Sequence, residues 1–172
     1  MRAFATCAIL PALCLLAACG PDAGSQYPDG GEPAAAPGDA PPPGPAEQGL
    51  NHEVAPDDPI HNAVVASAGL TLTEQIGQPV RIEPEIFRSE GDWAFLYGPI
   101  QTADGRPVDW AETNFAAAAA EGMLDGDLGI VLLNWNDGDW RVVETAIAPT
   151  DVPQIAWPDE HHVSPELVGL EG

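Results

Sequence analysis

The chain contains no lysine, and five arginines face 27 acidic residues, for a formal net charge of −22. A surface of that sign repels phosphate backbones and anionic headgroups, so nucleic acid is excluded as a partner. Cation or cationic-partner binding is compatible with it. The commoner meaning is a solvated acidic surface suited to salty surroundings. Cysteine is confined to Cys7, Cys14 and Cys19. The chain beyond them therefore has no disulfide, thiolate metal site or thiol nucleophile. Long apolar runs are missing as well. The stretch from Ala3 to Leu16 is interrupted by Pro11 and falls short of the roughly 20 residues that span a bilayer. Serine is scarce: beyond residue 56 only Ser67, Ser89 and Ser164 occur, none within Gly-x-Ser-x-Gly. There is no P-loop or dinucleotide fingerprint. No catalytic residue is assigned and no cofactor is expected.

What is present begins with Met1-Arg2, an apolar stretch and Leu16-Ala17-Ala18-Cys19. A positive start, an apolar region and small residues before a cleavage site make a secretory signal peptide over residues 1–18. The cysteine directly after two alanines resembles a bacterial lipoprotein signal. That resemblance implies that Cys19 is the lipidated first residue of the mature protein. It also implies a cell-envelope protein, anchored to the membrane through its lipid on the periplasmic side. In the enteric lipoproteins that this resembles, Asp after the cysteine favours inner-membrane retention, so Gly20 leans towards the outer membrane.

Residues 19–56 are rich in Pro, Gly, Ala and acid, with Ala40-Pro41-Pro42-Pro43-Gly44-Pro45 as the clearest run. Only Tyr27, Leu50 and Val54 offer sizeable apolar surface. The composition predicts a disordered, partly polyproline-II tether. A proline-rich ligand for an aromatic groove is compatible with the run, but a plain spacer is commoner.

A single domain is expected over residues 57–172. Asp57-Asp58-Pro59 starts a helix. Ile60, Val64, Ala68, Leu72 and Ile76 give it one apolar stripe, and Gly77 ends it. Gly69 inside the stripe is a place to bend or break. Val80 to Arg88 reads as a strand with Pro84 marking an edge or bulge. Ser89-Glu90-Gly91-Asp92 is a turn, and Trp93-Ala94-Phe95-Leu96-Tyr97 returns, with Trp93, Phe95 and Tyr97 on one face. Glu112 to Glu121 reads as a short alanine-rich helix. Leu128 to Leu133, apolar on both faces, belongs mid-sheet under cover. Asn136-Asp137-Gly138-Asp139 is a hairpin turn, with Trp140 to Ala148 returning. The tail is expected to pack through Val152, Ile155 and Trp157. The fold class is thus α+β. A mainly antiparallel sheet of about four strands, in two hairpins, carries an N-terminal helix and a short second helix on one face, after a disordered tether. The order looks like the broad cystatin-like and NTF2-like group of curved-sheet domains. The stretch Trp140 to Val152 resembles the C-terminal part of uncharacterised proteobacterial exported proteins. It brings no activity.

The candidate site residues are few. His161-His162, beside Asp159 and Glu160, suits zinc or a similar ion. Adjacent histidines rarely share one ion, so no metal is assigned and exposed tail residues are the commoner reading. The acid runs near Asp125 and Asn136 do not match a calcium loop. Glu144, among Trp140, Val142 and Val143, has the place of a general base entering a sheet pocket, although such a carboxylate more often faces solvent or pairs with arginine. Trp93, Tyr97, Trp140 and Glu144 are the candidates for a pocket or partner surface. The five tryptophans exceed what so small a domain usually carries, with core the first use for most. Gly91-Asp92-Trp93 and Gly138-Asp139-Trp140 repeat one tripeptide in two hairpins; shared turn grammar explains this more simply than duplication. The leading expectation is an envelope-tethered, non-enzymatic binding or scaffold domain with an envelope protein partner. One alternative is a small-molecule-binding or hydrolytic enzyme using a curved-sheet pocket. The other is a protease-inhibitor-like or chaperone-like module.

Overall fold

The Asp58 carboxylate accepts the Ile60 amide at 3.0 Å, and the chain turns into α1 (His61–Ile76) two residues past Pro59. The expected stripe is the buried face: Ile60, Val64, Ala68, Leu72 and Ile76 are all enclosed. Gly69 does not break the helix, which ends at Gly77 in the left-handed region. This is a computed structural model that describes residues 42–45 and 51–170, all within one compact unit, residues 37–172. Residues 1–18, Cys19 and most of the expected tether lie outside the described residues.

The strands are β1 (His52–Glu53), β2 (Val80–Ile82), β3 (Ile86–Glu90), β4 (Trp93–Thr102), β5 (Leu128–Asn136) and β6 (Asp139–Ile147). All pairings are antiparallel, in the order β1-β3-β4-β5-β6, with β2 on β4. The fold class is α+β, with six strands among the described residues where about four were expected. One added strand comes from the predicted Val80–Arg88 run. Pro84 has no N–H for the ladder, so the run divides there. Glu83 and Glu85 still donate to the Pro99 and Tyr97 carbonyls, at 2.9 Å each. Gly98 stands opposite, where a Cβ would come 2.1 Å from the Glu83 carbonyl oxygen. The other added strand is β1, which lies inside the expected tether. It pairs His52 with Ser89 and Glu53 with Arg88, and Val54 is buried behind it. The domain's packing thus begins before residue 57.

β5 is central and buried on both faces through Ile130, Val131, Leu132 and Leu133, as its sequence requires. One core layer lies between α1 and the sheet, with Phe87, Leu96, Val131, Leu133 and Trp140. Phe115, at the start of the alanine-rich segment, packs against this same cluster. On the opposite face Phe95, Ile130 and Leu132 are covered by the tail through Trp157, Val163, Leu167 and Val168. The tail carries a 3₁₀ turn (Pro153–Ile155) and α3 (Trp157–His161). Val152 and Ile155, expected to pack, are exposed. The short second helix, α2, spans Ala116–Ala120. Arg88 donates to the Glu166 carbonyl, and Ser164 to the Glu90 carboxylate, fastening the tail to β3.

Candidate functional site

Two side-chain groups stand apart from ordinary packing, one on each face of the sheet. The first is built on the β5–β6 hairpin. Asp137 and Gly138 form its tight turn, both at positive φ (54° and 83°), as a type I′ geometry demands. The turn sets Trp135 opposite Trp140 across the strands, with ring centroids 5.4 Å apart and planes tilted by 60°. Trp140 is 2% exposed. Its main-chain carbonyl accepts the Ser67 hydroxyl of α1 at 2.7 Å, and its amide donates to Asp139 Oδ1 at 2.9 Å. Its indole Nε1 donates to the carbonyl of Pro43, 97 residues away, at 3.1 Å. Gly44 follows with its backbone flat against the neighbouring indole. A Cβ there would lie 2.8 Å from Cζ2 of Trp135 and 2.9 Å from Cε2. Pro43 and Gly44, within the expected spacer, are therefore seated on a tryptophan pair.

The second group lies under the tail. Trp93 and Tyr97 pack there beside Phe95, Leu132 and Trp157. Glu144 joins them through a bulge. In a regular strand it would share the face of Val142 and Trp140, two and four residues away. The ladder instead passes from Leu133–Val142 to Leu132–Glu144, leaving Val143 unpaired. That extra residue turns Glu144 to the tail side, where its Oε1 lies 3.1 Å from Nε2 of His161. The His161 ring also rests on Trp93, centroids 5.8 Å apart. Glu160 completes a trio whose donor atoms lie within 4.8 Å of one another. One imidazole and two carboxylates have the chemistry to hold zinc or a similar ion. Glu144 and His161 already satisfy each other, and Glu160 is exposed, so the trio is explained as a fastening of α3 to β6. His162 is not part of it: it ends α3 in the left-handed region and is exposed.

Of the residues singled out from sequence, Trp93, Tyr97 and Glu144 therefore share the tail-covered face, and Trp140 lies on the other. Cys19 lies outside the described residues. The contacts of Pro43 with Trp140 and of Gly44 with Trp135 are not among the sequence expectations. Their signals were present, a proline run and a surplus of tryptophans, but nothing in the sequence joined them. Among the described residues, the carboxyl held clearly below its ordinary range is that of Asp104, by the Thr102 hydroxyl and then the Arg106 guanidinium. It sits in an exposed loop away from both groups. Comparison with protein-family models, curated proteins and solved structures finds no match.

Proposed function

We propose that this chain is an envelope-tethered, non-enzymatic binding domain whose recognition surface is the Trp135–Trp140 end of the helix-covered face. The observation that carries the reading is the bond from Trp140 Nε1 to the Pro43 carbonyl. An enclosed tryptophan directs its one polar atom at main chain from a distant segment, and Trp135 lays an apolar face beside it. Such a pair suits extended polypeptide: the rings give contact area at low rotamer cost, and the N–H fixes a carbonyl. Among the described residues, no serine stands as a nucleophile beside the Glu144–His161 pair for the hydrolytic alternative. Ser67 and Ser89 donate to the Trp140 and Trp93 carbonyls and Ser164 to the Glu90 carboxylate. The tether and anchor rest on Leu16-Ala17-Ala18-Cys19 and its resemblance to a lipoprotein signal.

The test is cross-linking of the membrane-bound full chain in cells, followed by identification of the cross-linked protein. Trp135→Ala, at a half-buried position, is expected to keep a cooperative melt and lose that protein. Undiminished capture by Trp135→Ala overturns the reading. The anchor has its own test. Cys19→Ser is expected to release the protein from the membrane fraction or leave it unprocessed. A mature N-terminus at any residue other than a lipid-modified Cys19 removes that part of the proposal.

A further inference from the structure

The segment on the tryptophan pair is Pro42-Pro43-Gly44-Pro45, and its chemistry indicates what the face reads. We infer that the Trp135–Trp140 face is a site for proline-rich polypeptide, that residues 42–45 fill it in cis as an internal competitor, and that the outside partner is a proline-rich segment with basic flanks. The inference rests on the binding reading above and names its ligand class and its regulation.

Three features of the contact carry it. Proline fixes its own φ near −65° and pushes the residue before it into the extended region. Pro42, Pro43 and Gly44 each precede a proline or are one, so the segment reaches the rings already ordered and loses little entropy there. A proline-rich chain also leaves its carbonyls without internal partners. Trp140 Nε1 supplies the donor that one of them needs. The third feature is the fit at Gly44. Its backbone is so close to the Trp135 indole that any side chain would collide, so the face selects a small residue between prolines.

Occupancy in cis follows from connection. Only five residues of sequence separate Pro45 from Asn51, and β1 begins at His52; so short a connection gives the segment an effective concentration of about millimolar. A weak contact is then filled without being tight, and a better ligand displaces it. Charge says which ligand is better. The turn beside the pair carries Asp137 and Asp139, both exposed, on a chain of net charge −22. In sequence the cis segment is flanked by Asp39 and Glu47, of the same sign as that turn. A proline-rich segment flanked by arginine or lysine meets opposite charge.

The probe is a synthetic peptide, Ala-Pro-Pro-Pro-Gly-Pro-Ala with an arginine added at each end. It is titrated into the full chain while the tryptophan indole N–H signals are followed by NMR. Gly44→Ala lifts the cis segment from Trp135 without touching the face. It is expected to lower the half-saturating peptide concentration at least about tenfold relative to wild type, with the Trp135 and Trp140 signals moving together. The double variant Pro42→Ala/Pro45→Ala loosens the same segment by another route and should shift in the same direction. Equal midpoints in wild type and both variants overturn the cis competitor. Indole signals that stay still at millimolar peptide overturn the ligand class. An arginine-free peptide that binds equally well at low salt overturns the basic flanks. If the peptide fails while the Trp135-dependent cross-link persists, this inference falls and the binding reading stands; if both fail, both fall.

Discussion

In the β3–β4 hairpin the turn residues are Gly91 and Asp92, and Trp93 is the first residue of its strand, paired with Glu90. In the β5–β6 hairpin they are Asp137 and Gly138, and Trp140 is the second residue of its strand, after Asp139. The same Gly-Asp-Trp is read in two frames, one residue apart. The difference is visible in the backbone. Gly91 alone has positive φ in the first turn (55°), whereas both residues do in the second, which is the contrast between types II′ and I′. Because strand side chains alternate with period two, one residue of offset exchanges the faces. Trp93 lands under the tail and Trp140 under α1. Local sequence identity thus carries no information about which layer a residue joins until the turn frame is known. The two copies of the tripeptide therefore do not form a paired surface.

The comparison can be broken at several points. The largest expected effect is at the tryptophans. Trp140→Ala removes an enclosed ring and should cost about 3–5 kcal/mol in denaturant melts. The half-buried Trp93→Ala should cost on the order of half as much, because less apolar area leaves water. Equal costs would mean that the two faces do not differ as described. Next is the tail. Its Leu167 is fully enclosed against the sheet, so Leu167→Ala should cost about 2–5 kcal/mol. A chemical melt unchanged by it would show that the tail is a loose cover and not the second core layer. Smaller is the frame itself. Gly138→Ala has open space at its Cβ but φ of +83°, so its cost is backbone strain alone, about 1–2 kcal/mol. A neutral result would remove the type I′ argument. The smallest effect is favourable. A Cβ on Gly69 meets only the Val80 carbonyl at 3.7 Å, so Gly69→Ala should raise stability by about 0.5–1 kcal/mol. A loss would show that α1 needs its close approach to β2.

Most elements were legible because their signals are local. The stripe from Ile60 to Ile76, the doubly apolar Leu128–Leu133 and the Asp-Gly turn each carry their own periodicity or turn chemistry. Pro84 marked the place where a strand divides. What stayed hidden depends on contacts between distant residues. Val143 has no feature of a bulge, yet that one extra residue sends Glu144 to His161 and away from Trp140. β1 is two residues long, too short for any periodicity, and is a strand only because β3 offers it an edge. The tail lacks a long repeat, and Trp157, Val163, Leu167 and Val168 become a core only when laid on the sheet. For the candidate site, the tryptophans and the proline run were both conspicuous; their meeting across 97 residues was not.

The bulge at Val143 bears on how copies of this protein meet. Among the described residues the sheet ends at β1 on one side and β6 on the other. A two-residue strand is too short to template a neighbour. β6 is nine residues long, and a regular edge of that length would invite a second chain to add itself, strand upon strand. The unpaired Val143 breaks the spacing of its free amides and carbonyls in mid-strand, while exposed Asp139 and Arg141 place charge at its start. The residue that turns Glu144 towards the tail thereby also interrupts the open edge that an added strand would need.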